Sequence, residues 1–176
     1  MANLGGDQIH AFLAGVGNQC PDPAQLYLLG GSALFLLGSP RPTMDIDYVG
    51  DDLQKNNLQL IMEQIAQEMH LEVEAVPIDR FLPLPDGVTE RRISVGQFGS
   101  VEVFIYDPYS IALSKIDRGF DTDLEDVVFL IRNGLVSIDR LEIMLHMTFD
   151  AASQFDLHPE ESLFHLQAVR KLLGLE

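Results

Sequence analysis

The sequence predicts an α+β fold: a mixed β-sheet with flanking helices, followed by a helical C-terminal part. Two observations carry this. Short strand-like runs at 26–29, 45–49, 71–76, 91–98 and 101–106 are confined to the first two thirds of the chain, where they alternate with helical segments. After Pro108 the apolar residues recur only at helical spacing. A chain of 176 residues, 47% hydrophobic and 22% charged, suits one core of ordinary size. A single domain over 1–176 is therefore expected, with 1–107 carrying the sheet and 108–176 the helices.

The elements follow in order. Ile9, Phe12, Leu13 and Val16 predict a first helix that opens at Asp7 and ends at Gly15 or Gly17, and Cys20 to Pro23 reads as a loop. The continuous apolar run 26–29 predicts a central strand, and 32–37 a short buried helix stopped by Gly38, Pro40 and Pro42. A strand at 45–49 precedes an amphipathic helix over 52–70, built on Leu53, Leu60, Ile61, Ile65 and Met69. Residues 71–76 alternate like a half-exposed strand. Pro77, Pro83, Pro85 and Gly87 make 77–90 a loop, and Gly99 with Ser100 joins 91–98 to 101–106 as a hairpin. Helices are then expected at 109–118, 124–132, 138–155 and 160–173, with Gly119, Gly134 and Pro159 as breaks.

Charge narrows the function. With 27 acidic against 11 basic residues the net charge is −16, so free nucleic acid is disfavoured as a partner. A nucleotide is not, because a metal ion and a few aimed donors act locally. No apolar stretch is longer than the five residues of 33–37, far short of the roughly 20 a membrane span needs, and the N-terminus lacks a basic region followed by an apolar one. Cys20 has no cysteine partner within the chain, so the cytoplasm is the expected compartment, with no membrane partner.

The segment from Leu26 to Gly50, LYLLGGSALFLLGSPRPTMDIDYVG, carries the chemistry. Asp45 and Asp47 are two apart, so on a strand both carboxylates project from one face. They repel unless a cation lies between them, and Mg²⁺ is the hard cation that shares carboxylates with substrate phosphates. Gly30 and Gly31 let backbone approach a phosphate, and Ser32 adds a hydroxyl at the start of the helix. Read singly, the glycine pair is a tight turn and the aspartate pair a solvated face; their combination points to a phosphate cradle beside a metal site.

Gly30-Gly31-Ser32 followed by Arg41-Pro42-Thr43-Met44-Asp45-Ile46-Asp47 resembles the signature of the nucleotidyltransferase superfamily, the polymerase-β-like fold. It is most similar to the small bacterial AbiEii-type proteins grouped with abortive-infection toxins. The segment from Asp107 to Ser137 resembles their later motif, matched here by Lys115, Arg118, Asp123 and Asp126. The resemblance spans about residues 25–137. It implies an NTP substrate bound with Mg²⁺, Mn²⁺ being the other candidate metal, with Asp45 and Asp47 as metal ligands. It implies nucleotide contacts from Gly30, Gly31, Ser32, Arg41, Thr43, Lys115 and Arg118. The expected reaction is transfer of a nucleoside monophosphate to an acceptor: RNA or tRNA, a protein side chain, or a small molecule. The alternative is a catalytically silent module of the same fold that acts on a protein partner, as in a toxin–antitoxin system. Lys115 and Arg118 share a helix face, so they also fit an ion-pair ladder with Asp117, Asp121, Asp123 and Asp126, and Arg41 also fits a loop anchor.

Active members of the superfamily use a third acidic residue on an adjacent strand. Glu102, the only carboxylate within 101–106, is assigned that catalytic and metal-binding place, with a solvated face as the other reading. Asp107 competes for it but fits a helix cap, and the alternation of Glu72 and Glu74 fits a solvated face.

Overall fold

In a computed structural model, which describes residues 2–175, the chain forms two compact units. One comprises the residues up to Pro77 together with Arg92–Tyr106; the other comprises Ile78–Arg91 and the residues from Asp107 onward.

The first unit is built on a five-stranded mixed sheet. Its strands are β1 (Ala24–Leu29), β2 (Asp45–Val49), β3 (Glu72–Val76), β4 (Ile93–Phe98) and β5 (Val101–Ile105), in the spatial order β3-β2-β1-β5-β4. β1 runs antiparallel to β2 and parallel to β5, β2 runs parallel to β3, and β4–β5 is the expected hairpin. One face presents Leu26, Leu28, Ile46, Tyr48, Val101, Val103 and Ile105, all buried. Removing such side chains from water contributes roughly 1.5–3 kcal/mol each.

Three helices complete this unit: α1 (Gly6–Gln19), α2 (Gly30–Leu36) and α3 (Asn57–Met69). α3 lies on the apolar face, where Gln59 Nε2 donates to Asp51 O at 3.0 Å and packs near Gly50. α3 starts at Asn57, five residues later than the apolar pattern predicts. Asn56 caps it, its side chain accepting from Gln59 N at 2.9 Å while Gln59 Oε1 accepts from Asn56 N at 2.9 Å. That reciprocal pair fixes the start, and Leu53 is left 77% exposed. The loop before β1 is tied to the hairpin turn through Ser100, whose hydroxyl donates to Cys20 O at 2.6 Å and whose carbonyl accepts from Ala24 N at 3.1 Å.

The second unit is helical: α4 (Ile78–Phe81), α5 (Pro108–Arg118), α6 (Asp121–Arg132), α7 (Ile138–Thr148), α8 (Ala152–Phe155) and α9 (Pro159–Leu173), with a 3-10 turn at Phe149–Ala151. Residues 77–90 are thus not all loop, because Ile78 and Leu82 are buried and hold one helical turn between prolines. Asp107, fully buried, organises the start of α5. Its carboxylate accepts from Tyr109 N at 3.1 Å, Ser110 N at 3.2 Å and Ser110 Oγ at 2.8 Å, and takes a two-point ion pair from Arg91 at 2.8 and 2.7 Å. With Pro108 in the first turn, this is the cap that the sequence suggested. α9 docks partly through His165, whose Nδ1 lies 2.7 Å from Ile116 O. No described helix is long and apolar enough to cross a membrane.

Two stability outcomes follow. Asp107→Ala leaves the Arg91 guanidinium and two amides without their acceptor, and urea unfolding is expected to show a loss of about 3 kcal/mol. The second concerns Asp117, whose carboxyl is pushed up from its ordinary 3.8 by burial, with His158 and His165 opposing and Asp156 and Glu161 adding to the rise. A raised folded-state pKa means that its contribution is fully present below 3.8 and is lost as pH rises through the folded value. Asp117→Asn is therefore expected to be more stable than wild type at neutral pH, with the advantage shrinking in acid when unfolding curves are compared across that range.

Candidate active site

Asp45 and Asp47 sit at alternate positions on β2, half-exposed, while Ile46 between them is fully buried on the other face. The parallel register sets Glu74 of β3 directly beside Asp47, and Glu72 beside Asp45. One carboxylate oxygen from each of Asp45, Asp47 and Glu74 lies within 4.8 Å of the other two. This is the only such group of acidic, histidine or cysteine side chains among the described residues. Glu74, exposed and alternating with Val73 and Ala75, has the pattern of a solvated face; what makes it part of a site is its neighbour on β2.

Glu102 lies elsewhere. It is on the same face as the aspartates but on β5, opposite Gln25 of β1 and Gln97 of β4. Asp47 pairs with Leu29 at the other end of β1, so two strand spacings and four residues separate Glu102 from Asp47, about 16 Å. The structure thus brings Glu74, not Glu102, to the aspartate pair. The order of the sheet is the reason: β2 lies between β1 and β3, and β5 is on the far side of β1.

The glycine pair opens α2 directly after β1, with Leu29 as an extended cap residue. Gly30 has φ +60°, and a Cβ there would lie 2.0 Å from Asp47 Oδ2. A Cβ on Gly31 would lie 2.9 Å from Thr43 Oγ1. What the two glycines admit is therefore the carboxylate of Asp47 and the hydroxyl of Thr43. Thr43 is buried and donates to Asp45 O at 3.1 Å, and buried Ser32 donates to Leu29 O at 3.2 Å. Both hydroxyls fix the backbone around the carboxylates. Arg41 is half-buried, its amide donating to Ser39 Oγ at 3.3 Å.

Beside the carboxylates, β3 and α3 border an open pocket of about 420 Å³ whose lining includes Asp45, Glu63, Gln67, Leu71, Glu72 and Glu74. Three carboxylates of one sign within 4.8 Å of one another are a donor set for a hard divalent cation, which takes oxygen ligands. The residues present fit Mg²⁺ or Mn²⁺.

In the helical unit, Lys115 is 3% exposed and its ammonium contacts Asp126 at 2.6 Å and Asp123 at 3.3 Å. Arg118 reaches Asp123 at 2.5 Å but keeps 59% of its side chain exposed. Of the two readings of this pair, the structure shows the ion pairs, because α6 follows α5 closely enough to bring both aspartates back onto the lysine.

An α+β mixed sheet with a glycine turn after its central strand and an Asp-x-Asp strand beside it defines a nucleotidyltransferase-like protein. The model of the family described as nucleotidyltransferase of unknown function (DUF6036) matches residues 9–169, and the chain belongs to that family. No curated protein matches, and no solved structure does.

Gly30→Ala and Gly38→Ala separate backbone strain from collision. Both positions have positive φ, +60° and +98°, but nothing lies within 4 Å of a Cβ at Gly38. Gly38→Ala is expected to cost about 1 kcal/mol of strain. Gly30→Ala should cost about 1–3 kcal/mol more, because the methyl group must displace the Asp47 carboxylate. Urea unfolding of the two variants measures the difference.

Proposed function

We propose that the protein transfers a nucleoside monophosphate from an NTP to a hydroxyl or similar acceptor, releasing pyrophosphate. The observation that carries this is the convergence of Asp45, Asp47 and Glu74 beside the turn at Gly30. In the reaction the acceptor oxygen forms a bond to the α-phosphorus, the bond from that phosphorus to the bridging oxygen breaks, and the acceptor proton passes to solvent. Bound divalent metal supplies two things, a lower pKa for the acceptor and neutralisation of the leaving phosphates. Asp45, Asp47 and Glu74 hold the metal. Gly30 and Gly31 leave room for the Asp47 carboxylate and the Thr43 hydroxyl, Ser32 and Thr43 hold the backbone around them, and Arg41 is the basic contact for nucleotide. Glu63 and Glu72 extend the acidic wall of the pocket, which favours a neutral or cationic acceptor, a small molecule or protein side chain, over RNA.

The silent module that engages a protein partner is the competing reading. A third carboxylate at the aspartate pair supports transfer over it, since a binding module needs no acidic triad.

Thermal unfolding with each NTP, with and without Mg²⁺, tests the proposal, followed by labelled NTP and a cell lysate to find the acceptor. Wild type is expected to be stabilised only when NTP and metal are both present. Asp47→Asn and Glu74→Gln should abolish that gain and lower transfer by roughly 100-fold or more, while unfolding at least as high as wild type without metal. Glu102→Gln should behave as wild type. Absence of any metal-dependent NTP effect in wild type would leave the silent module standing.

A further inference from the structure

Arg92 immediately precedes β4. Carrying the Ile93–Ile105 register one residue further sets it opposite Tyr106. Its guanidinium carbon lies 4.5 Å from the centroid of the Phe104 ring. Phe104 stacks in turn on Tyr27, at 5.4 Å and 20°, and Tyr106 meets Tyr27 edge-on at 6.0 Å. Tyr27 pairs with Phe104, and Leu29, two residues on, pairs with Asp47. The aromatic cluster and the carboxylates therefore share one face of the sheet. At one level the strands present Glu74, Asp47, Leu29, Tyr106 and Arg92 in that order, a line that passes the end of β1 where Leu29 gives way to Gly30 and Gly31. Three strand spacings, about 14 Å, separate the backbones of Asp47 and Arg92.

Arg92 differs from the other arginines stacked on rings. Arg91 lies over Tyr109 but is paired with Asp107, and Arg140 lies over Tyr109 but is exposed. Arg92 is half-buried, and its ring contact is its one interaction: no acceptor among the described residues hydrogen-bonds or ion-pairs with it. In a chain with 27 acidic residues, a partly desolvated guanidinium without an anion is a cost. The Phe104 ring covers its apolar face and leaves the N–H edge free, the edge that matches phosphate oxygens.

We propose that Arg92 binds the terminal phosphates of the nucleotide, the β- and γ-phosphates that leave as pyrophosphate. This rests on the transfer reading above. With phosphates entering at the carboxylates and running past Gly30 and Gly31, the far end of the chain of phosphates comes to Arg92. Its positive charge then meets the negative charge that grows on pyrophosphate as the bond breaks.

Calorimetric titration tests this, using wild type, Arg92→Met and Arg92→Lys with an NTP, the matching NMP and inorganic tripolyphosphate, each with Mg²⁺. Arg92→Met keeps a side chain on Phe104 and removes the donors, so its unaltered unfolding temperature serves as the fold control. Expected is a loss of about 10–100-fold in affinity for NTP and tripolyphosphate, no change for NMP, and partial rescue by lysine. Wild type that binds no NTP with metal overturns the transfer reading and this proposal with it. Wild type that binds NTP while Arg92→Met binds it equally well overturns the role of Arg92 alone. Equal losses for NTP and NMP also overturn it, since the contact is then not to the terminal phosphates.

Discussion

Three carboxylates held within 4.8 Å of one another repel, and the sheet around Asp45, Asp47 and Glu74 is arranged to hold them there regardless. Strand geometry fixes each carboxylate in place. Asp45 and Asp47 cannot turn away from each other, because Ile46 between them is buried on the opposite face and locks the register of β2. Glu74 cannot move along β3, because every residue of that strand pairs in parallel with β2. Gly30 then lets the chain turn out of β1 against the carboxylate of Asp47. The cost of the repulsion is carried by the apolar packing on the other face, which is why the site needs a well-filled core behind it.

The local parts of this site are legible in the sequence. An alternation of two places Asp45 and Asp47 together, and a glycine pair at the end of an apolar run marks a turn that something must approach closely. The cap at Asp107 before Pro108 is legible for the same reason, because it acts within one turn of a helix; the Asn56–Gln59 pair is equally local, yet the apolar pattern through Leu53 hides it by starting the helix at 52. The choice between Glu74 and Glu102 is not local. Both alternate on strands of similar length, and only the spatial order of the strands decides which one stands beside β2. The fate of Lys115 is hidden likewise, since the aspartates that enclose it come from the next helix, eight and eleven residues on. Arg92 shows no motif at all; its interest lies in what the fold leaves around it.

The strand order also bears on how the chain reaches its native state during synthesis. β1, β2 and β3 leave the ribosome in close succession and can pair with one another, since β2 adjoins both of the others. β1, however, is central, and its second neighbour β5 emerges only after α3, β3, α4 and β4 have been made. Until then one edge of β1 has unpaired backbone groups and its side chains Leu26 and Leu28 lack part of their cover. Such an edge is a template for pairing with another nascent chain. The acidic triad belongs to the part that is made first, so the like charges of β2 and β3 are assembled on the other side of β1, beginning one strand spacing from that open edge. At about one strand spacing, within a Debye length of about 8 Å, that negative field works against the approach of a second copy of the same chain, a protection that ends its usefulness when β5 arrives.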